Sequence, residues 1–167
     1  FNGREHVASG YGETRHIILP DGSEVTLNAN SSITYFDNWS DDENQSNADF
    51  VRQVWLEGEA FFSVQRHDIP QRFVVFTDDL DVEVLGTTFN VNSRRDRTQV
   101  LLKSGLVKLN IKDSPVNEIL MNPGDVVEYG RGSLPVKTHT SLDSEQSSWL
   151  NNVLTYDDTP LRQIGRE

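Results

Sequence analysis

The stretch His16-Ile-Ile-Leu-Pro-Asp-Gly-Ser-Glu-Val-Thr-Leu27 decides the fold. Two short aliphatic runs flank Pro20-Asp21-Gly22, where proline presets φ and glycine accepts the positive φ that a tight turn demands. In the second run Val25 and Leu27 point to one face and Glu24 and Thr26 to the other, which is the period of a strand with one wet side. The stretch is therefore read as a β-hairpin that buries one face.

The same pattern extends outward along the chain. Residues 32–35 read as a further strand. In residues 51–56 the face carrying Arg52, Val54 and Leu56 is more apolar than the face carrying Val51, Gln53 and Trp55. Strands are also expected over 59–64, 73–77, 82–85, 89–91, 100–103, 106–111 and 126–129, spaced by roughly eight to twelve residues with no amphipathic helix between them. That spacing predicts an all-β fold, a two-sheet sandwich or jelly-roll-like domain, and argues against a parallel α/β sheet. Gly58 and Gly86 are expected to sit between strands, at points where a positive φ or a close backbone approach excludes a side chain. The echo between residues 22–28 and 105–110 is recurring hairpin chemistry, since a solenoid needs at least three repeats of one period.

A chain of 167 residues suffices for one ordinary domain, or for one domain and a fragment of a second. Its net charge of −11 opposes binding to nucleic acid, which requires clustered Lys and Arg. Arg94, Arg95 and Arg97 come nearest to a cluster, but Asp96 interrupts them and the run reads as an exposed turn. The absence of cysteine excludes disulfides, thiolate metal sites and a cysteine nucleophile. No apolar run approaches the ~18–20 residues that cross a bilayer, so the chain is expected to be soluble. It begins at Phe1, which leaves room for a leader, an anchor or another domain ahead of it.

A search for chemistry assigns no catalytic residue, cofactor or metal site. There is no nucleophile elbow, phosphate loop, dinucleotide fingerprint or zinc-protease motif. His6, His16, His67 and His139 stand apart in sequence. Residues 37–49, with Asp37, Asp41, Asp42, Glu43 and Asp49, read as a surface loop; calcium is the alternative, without the ligand spacing of an EF-hand. Asn30, Asn38 and Asn44 open sequons that matter in a glycosylating host. Glu57 and Glu59 are a conceivable hydrolase pair, but among 26 acidic residues chance pairs are plentiful, and strand-turn chemistry is the favoured reading. Trp39 is the candidate platform for a carbohydrate-binding sandwich, in which exposed rings stack on sugars. Phe61, Phe62, Phe73, Phe76 and Phe89 lie in strand patterns and read as packing residues.

Several segments in fixed order resemble the FecR domain of periplasmic regulators that act on extracytoplasmic-function sigma factors. They are Leu19-Pro-Asp-Gly-Ser23 with Val25-Thr-Leu-Asn28, Arg52-Gln-Val-Trp-Leu-Glu-Gly-Glu-Ala-Phe-Phe62, Val84-Leu-Gly-Thr-Thr-Phe-Asn-Val91, Gly105-Leu-Val-Lys-Leu109 and Pro123-Gly124. The resemblance covers about residues 16–130; Ser63 departs from it, and the loop after Trp39 is expanded. It implies a non-enzymatic sensor domain in the periplasm, part of a single-pass inner-membrane protein. A cytoplasmic segment outside this chain would hold the sigma factor, and the domain would bind the signalling domain of an outer-membrane TonB-dependent transporter. Glu57, Glu59, Thr87 and Asn90 are expected to make local turn and strand-end hydrogen bonds.

After Pro135 the pattern changes. Asp143 with Gln146 resembles a capping box opening a short helix that carries Trp149 and Leu150. Residues 153–156 read as a strand, and Thr159-Pro160 as the start of a helix. Two regions follow: an all-β FecR-like domain over 1–140, and over 141–167 a linker helix with the beginning of a truncated α/β domain, similar to the short secretin and TonB N-terminal fold. Partner binding is expected on a strand edge or on the β-α face, with Leu154, Tyr156 and Leu161 as the candidate residues.

Overall fold

The computed structural model describes residues 3–140, and every strand expected in that range is present. β1 (Arg4–Ala8) comes first, and the hairpin follows as β2 (Arg15–Ile18) and β3 (Glu24–Leu27), with Val25 and Leu27 buried and Glu24 exposed. Then come β4 (Ser32–Phe36), a 3-10 turn at Asn38–Ser40, α1 (Asp42–Gln45), β5 (Arg52–Ser63), β6 (Phe73–Phe76) and β7 (Leu80–Val84). The remainder is β8 (Thr88–Arg94), β9 (Arg97–Ser104), β10 (Val107–Ile111), β11 (Glu118–Met121), β12 (Asp125–Gly130) and β13 (Val136–His139). The all-β class therefore holds. Among the described residues no helix is long and apolar enough to cross a membrane.

The expected break at Gly58 is corrected by the structure. β5 runs unbroken from Arg52 to Ser63, and Gly58 lies inside it with φ +99°. What changes at Gly58 is the company the strand keeps. Before it, β5 pairs with β4 and, in parallel, with β6; from it onward, β5 pairs with β3 and β8. The strand thus belongs to two sheets. Sheet A has the order β1-β4-β5-β6-β7-β10-β11, and sheet B the order β2-β3-β5-β8-β9-β12-β13. A strand that switches sheets needs a bend, and a residue without Cβ supplies it.

Register puts the core on facing rows. Tyr35, Val54, Val75, Val82 and Leu109 line up across sheet A, and Val25, Phe62, Phe89 and Leu102 across sheet B; all are buried. Phe62 stacks on Phe89 at 5.0 Å between ring centroids and meets Phe73 of sheet A edge-on at 6.2 Å, so one ring ties the sheets together. Burying such a side chain contributes about 1.5–3 kcal/mol before ordering costs.

Trp39 is a second correction. It is 4% exposed, turned inward against Tyr35 and Phe73 at 6.1 and 5.7 Å, and offers no face to a sugar. The acidic composition around it marks an exposed stretch, but the indole anchors that stretch in the core. Gln71 holds the loop from below, its amide N–H groups donating to the carbonyls of Asn44 and Asn47. Of the five phenylalanines, Phe62, Phe73 and Phe89 are core, whereas Phe61 and Phe76 lie partly exposed on the outward faces.

Those outward faces complete the architecture. On sheet A, register aligns Thr34, Trp55, Phe76, Asp81 and Asn110, with Leu120 opposite Lys108 in the adjacent row. On sheet B it aligns Thr26, Phe61, Asn90, Leu101, Val126 and Thr138. Arg95 and Asp96, both exposed with positive φ, form the tight turn between β8 and β9, as the interrupted arginine run implied. The expected helices, the strand over 153–156 and the candidates Leu154, Tyr156 and Leu161 lie outside the described residues.

Candidate functional site

The segments that carried the resemblance meet in space through two buried polar clusters. Arg52 enters β5 on its apolar face and is fully buried beside Asp21 of the β2–β3 turn, Nη1 lying 2.7 Å from Oδ2. Its guanidinium also donates to the carbonyls of Gln65, Gln71 and Leu85, and it lies over the Phe73 ring at 5.4 Å. Asp21 in turn accepts from the N–H and hydroxyl of Ser23. A planar fork with several donors is the side chain suited to gathering one carboxylate and three carbonyls at a point.

The second cluster corrects the expected role of Glu59. Its carboxylate is buried and accepts from Asn28 Nδ2 at Oε1 and from Asn90 Nδ2 at Oε2, each at 2.9 Å. These bonds cross 31 residues of sequence in each direction, so they are cross-strand ties and not local turn chemistry. Two amide donors occupy the oxygens that a hydrolase would need open. Glu57 is exposed, and the bend at Gly58 separates the two acids. A Cβ on Gly58 would stand within 3 Å of Ser31, whose hydroxyl accepts the Glu59 backbone N–H at 2.9 Å. Thr87, also expected to bond locally, donates instead to the Leu106 carbonyl at 3.3 Å.

The Arg52 cluster supports an open groove at the end of sheet A. It has a volume of about 500 Å³ and is lined by Leu85, Leu106 and Leu120 together with Arg66, Glu83 and Lys108. Leu106 and Leu120 are 67% and 64% exposed, which is unusual for adjacent aliphatic residues on one surface. Arg52 fixes its wall through the Leu85 carbonyl. Gly86 allows the wall to close on the 65–66 segment, since a Cβ there would lie 2.6 Å from Arg66 Cβ. The edge strand β11 forms its outer side. Chemically the groove offers apolar contact, a few charges and an edge strand with no strand partner on its outer side among the described residues, the features of non-covalent docking.

The far end of the groove is set by Asp125. Its carboxylate accepts from the Asn122 N–H at 2.8 Å, lies 2.7 Å from His139 Nδ1, and stands 3.6 Å from Lys137 Nζ. Burial alone would raise its pKa. The Asn122 N–H, the His139 ring and the Lys137 charge outweigh burial and hold it below the ordinary carboxylate value. Asp81, on the outward face of sheet A, shows the reverse balance: burial raises its pKa despite Lys112 nearby.

The geometry defines a class, an all-β domain whose shared motif residues serve its packing and whose open surfaces are a groove and strand edges. The chain belongs to the FecR family: the model described as FecR protein matches residues 5–108, which adds β1 to the expected span and ends inside β10. That family is one of anti-sigma regulators. Two crystal structures of Parabacteroides distasonis proteins described as anti-sigma factors share the fold. One has a TM-score of 0.70 and 24% identity over 92% of this chain and 75% of its own. The other has 0.72 and 27% identity over 88% of this chain, which spans 64% of that protein. No curated protein matches the chain.

Proposed function

We propose that this domain is the periplasmic sensor part of a single-pass inner-membrane anti-sigma regulator. It receives the state of an outer-membrane TonB-dependent transporter and relays it to an extracytoplasmic-function sigma factor. The observation that carries this reading is membership of the FecR family over residues 5–108. The open groove and the free strand edges support it, because recognition of a small signalling domain needs apolar contact and backbone pairing and no reacting group.

Leu154, Tyr156 and Leu161 are the residues proposed to meet the transporter's signalling domain. Isothermal calorimetry of the full chain against the signalling domain of a TonB-dependent transporter from the same organism tests both the partner and the place. Binding is expected, with Tyr156→Ala and Leu161→Asp each weakening it about tenfold, the loss of one interface anchor. Absence of binding would remove the transporter. Unchanged affinity in both variants would move the interface to the groove, where Leu106→Asp is the next substitution to measure.

A further inference from the structure

The outward face of sheet A across β6, β7, β10 and β11 has an order that matches itself when reversed. Val75, Val82 and Leu109 enter the core, so the residues beside them point out, and register sets those in rows. One row runs Val74, Glu83, Lys108, Leu120, with an acid and a base at its centre and an aliphatic side chain at each end. The next runs Phe76, Asp81, Asn110, Glu118. On the other side of the first row, Leu85 and Leu106 line the groove together. Leu85, Leu106 and Leu120 are exposed, whereas Val74 is buried and adds little area. The charges alternate and balance. Glu83 has Arg72 at 3.6 Å and Lys108 at 3.9 Å; Lys108 lies 3.7 Å from Glu118, and Lys112 lies 3.8 Å from Asp81. The chain as a whole carries −11, so this face combines exposed leucines with locally cancelled charge on an acidic protein.

We propose that two copies of this chain associate through this face, about a two-fold axis running along the strands between β7 and β10. That rotation brings β7 over β10 of the second copy and β6 over its β11. Glu83 of each copy then meets Lys108 of the other, Leu85 meets Leu106, and Asp81 meets Asn110. Leu120 comes over β6, beside Phe76. Every contact occurs twice, as an interface built from one patch used by both partners requires. The same rotation leaves the strand directions nearly aligned, the ordinary geometry of two sheets packed face to face about 10 Å apart. A surface shaped for a strongly charged partner carries one sign of charge. This one carries both, in the order that its own rotation pairs acid with base. Two chains of −11 repel each other overall, so they approach best where the local charges cancel. The inference does not depend on what the chain senses or which protein it signals to.

Sedimentation of the full chain over a range of concentrations reads the association. The mass is expected to rise from one chain towards two. Glu83→Lys and, separately, Lys108→Glu place like charges together at both central contacts, so each variant alone should associate at least about tenfold more weakly than the parent. Mixed in equal amounts, the two variants should associate with each other about as tightly as two parent chains, because every central contact again pairs an acid with a base. A folding defect in either variant cannot produce that rescue. Leu106→Asp, at an exposed position, is an independent disruption and should also weaken the dimer about tenfold. Circular dichroism checks that each variant keeps its strands. A single-chain mass at every concentration up to about 1 mM would overturn the proposal. So would a dimer indifferent to Leu106→Asp and to both charge reversals, or a mixture that associates no more tightly than either variant alone.

Discussion

Sheet A and sheet B share β5 and are built from the same alternation, yet their outward faces differ. On sheet A most outward residues meet water, Val74 being a buried exception: Trp55 is exposed while stacking on Phe76 at 5.4 Å, Lys108 reaches Glu83 and Glu118, and Leu120 is largely bare. On sheet B the corresponding middle, Asn90, Leu101 and Val126, is closed off. The halves of β5 differ as well. The sheet A half opens with a buried cation, Arg52, and the sheet B half with a buried carboxyl side chain, Glu59, each hydrogen-bonded to groups far away in sequence. Antiparallel sheets ordinarily have one solvated face. Sheet A follows that rule except at Val74, 6% exposed between Gln53 and Glu83, so the two faces differ in extent: on sheet B three neighbours of one row are buried.

The largest effect should come from breaking the sheet A anchor. Arg52→Ala leaves Asp21 buried without its cation and frees three carbonyls from their donor, which is expected to cost about 3–5 kcal/mol. The check is the urea unfolding midpoint at constant m-value, with Asp21→Asn measured alongside. If Arg52 and Asp21 act as a unit, the double substitution costs much less than the sum of the two singles. Additive losses would mean that the carbonyl bonds, and not the ion pair, are what Arg52 contributes.

The comparison of faces is sharpened by one chemistry applied to both. Leu101→Ala, on sheet B, removes a buried side chain and is expected to destabilise by about 2–4 kcal/mol. Leu120→Ala, on sheet A, removes an exposed one and should change stability by no more than about 0.5 kcal/mol. Equal and small effects in chemical denaturation would erase the distinction between the faces.

Much of this was legible in the sequence, and the failures have physical causes. The hairpin at Asp21-Gly22 and the buried parity of Val54 and Leu56 follow from period two and turn chemistry alone. Gly58 reads as a boundary because glycine normally punctuates strands, but here its positive φ bends a strand that continues into a second sheet. β1, β11 and β13 escaped notice because they are edge strands with largely exposed residues and little alternation. The Arg52 and Glu59 clusters were out of reach for another reason: their partners lie 13 to 33 residues away, and only register brings them together. A lone arginine on an otherwise apolar strand face was the available signal. Trp39 misled because the composition of a loop does not say which way its one large ring turns.

Asp125 joins the two faces, since its turn ends the groove on the sheet A side and its strand carries Val126 of the buried row on the sheet B side. Folding lowers its pKa, so the ionised form is favoured in the native state. The stability it contributes is therefore fully present above the ordinary carboxylate pKa of about 3.9 and is lost as pH falls through the lower native value. Asp125→Asn should lower the urea midpoint modestly at pH 6, and the gap to the parent chain should narrow steadily as the pH is brought below about 4. This is the smallest of the three effects, because His139 and Lys137 are partly solvated and screen with water. A gap that stays constant across that range would show that Asp125 acts through hydrogen-bond geometry shared by the amide, and not through its charge. The Asn122 turn would then be insensitive to acid.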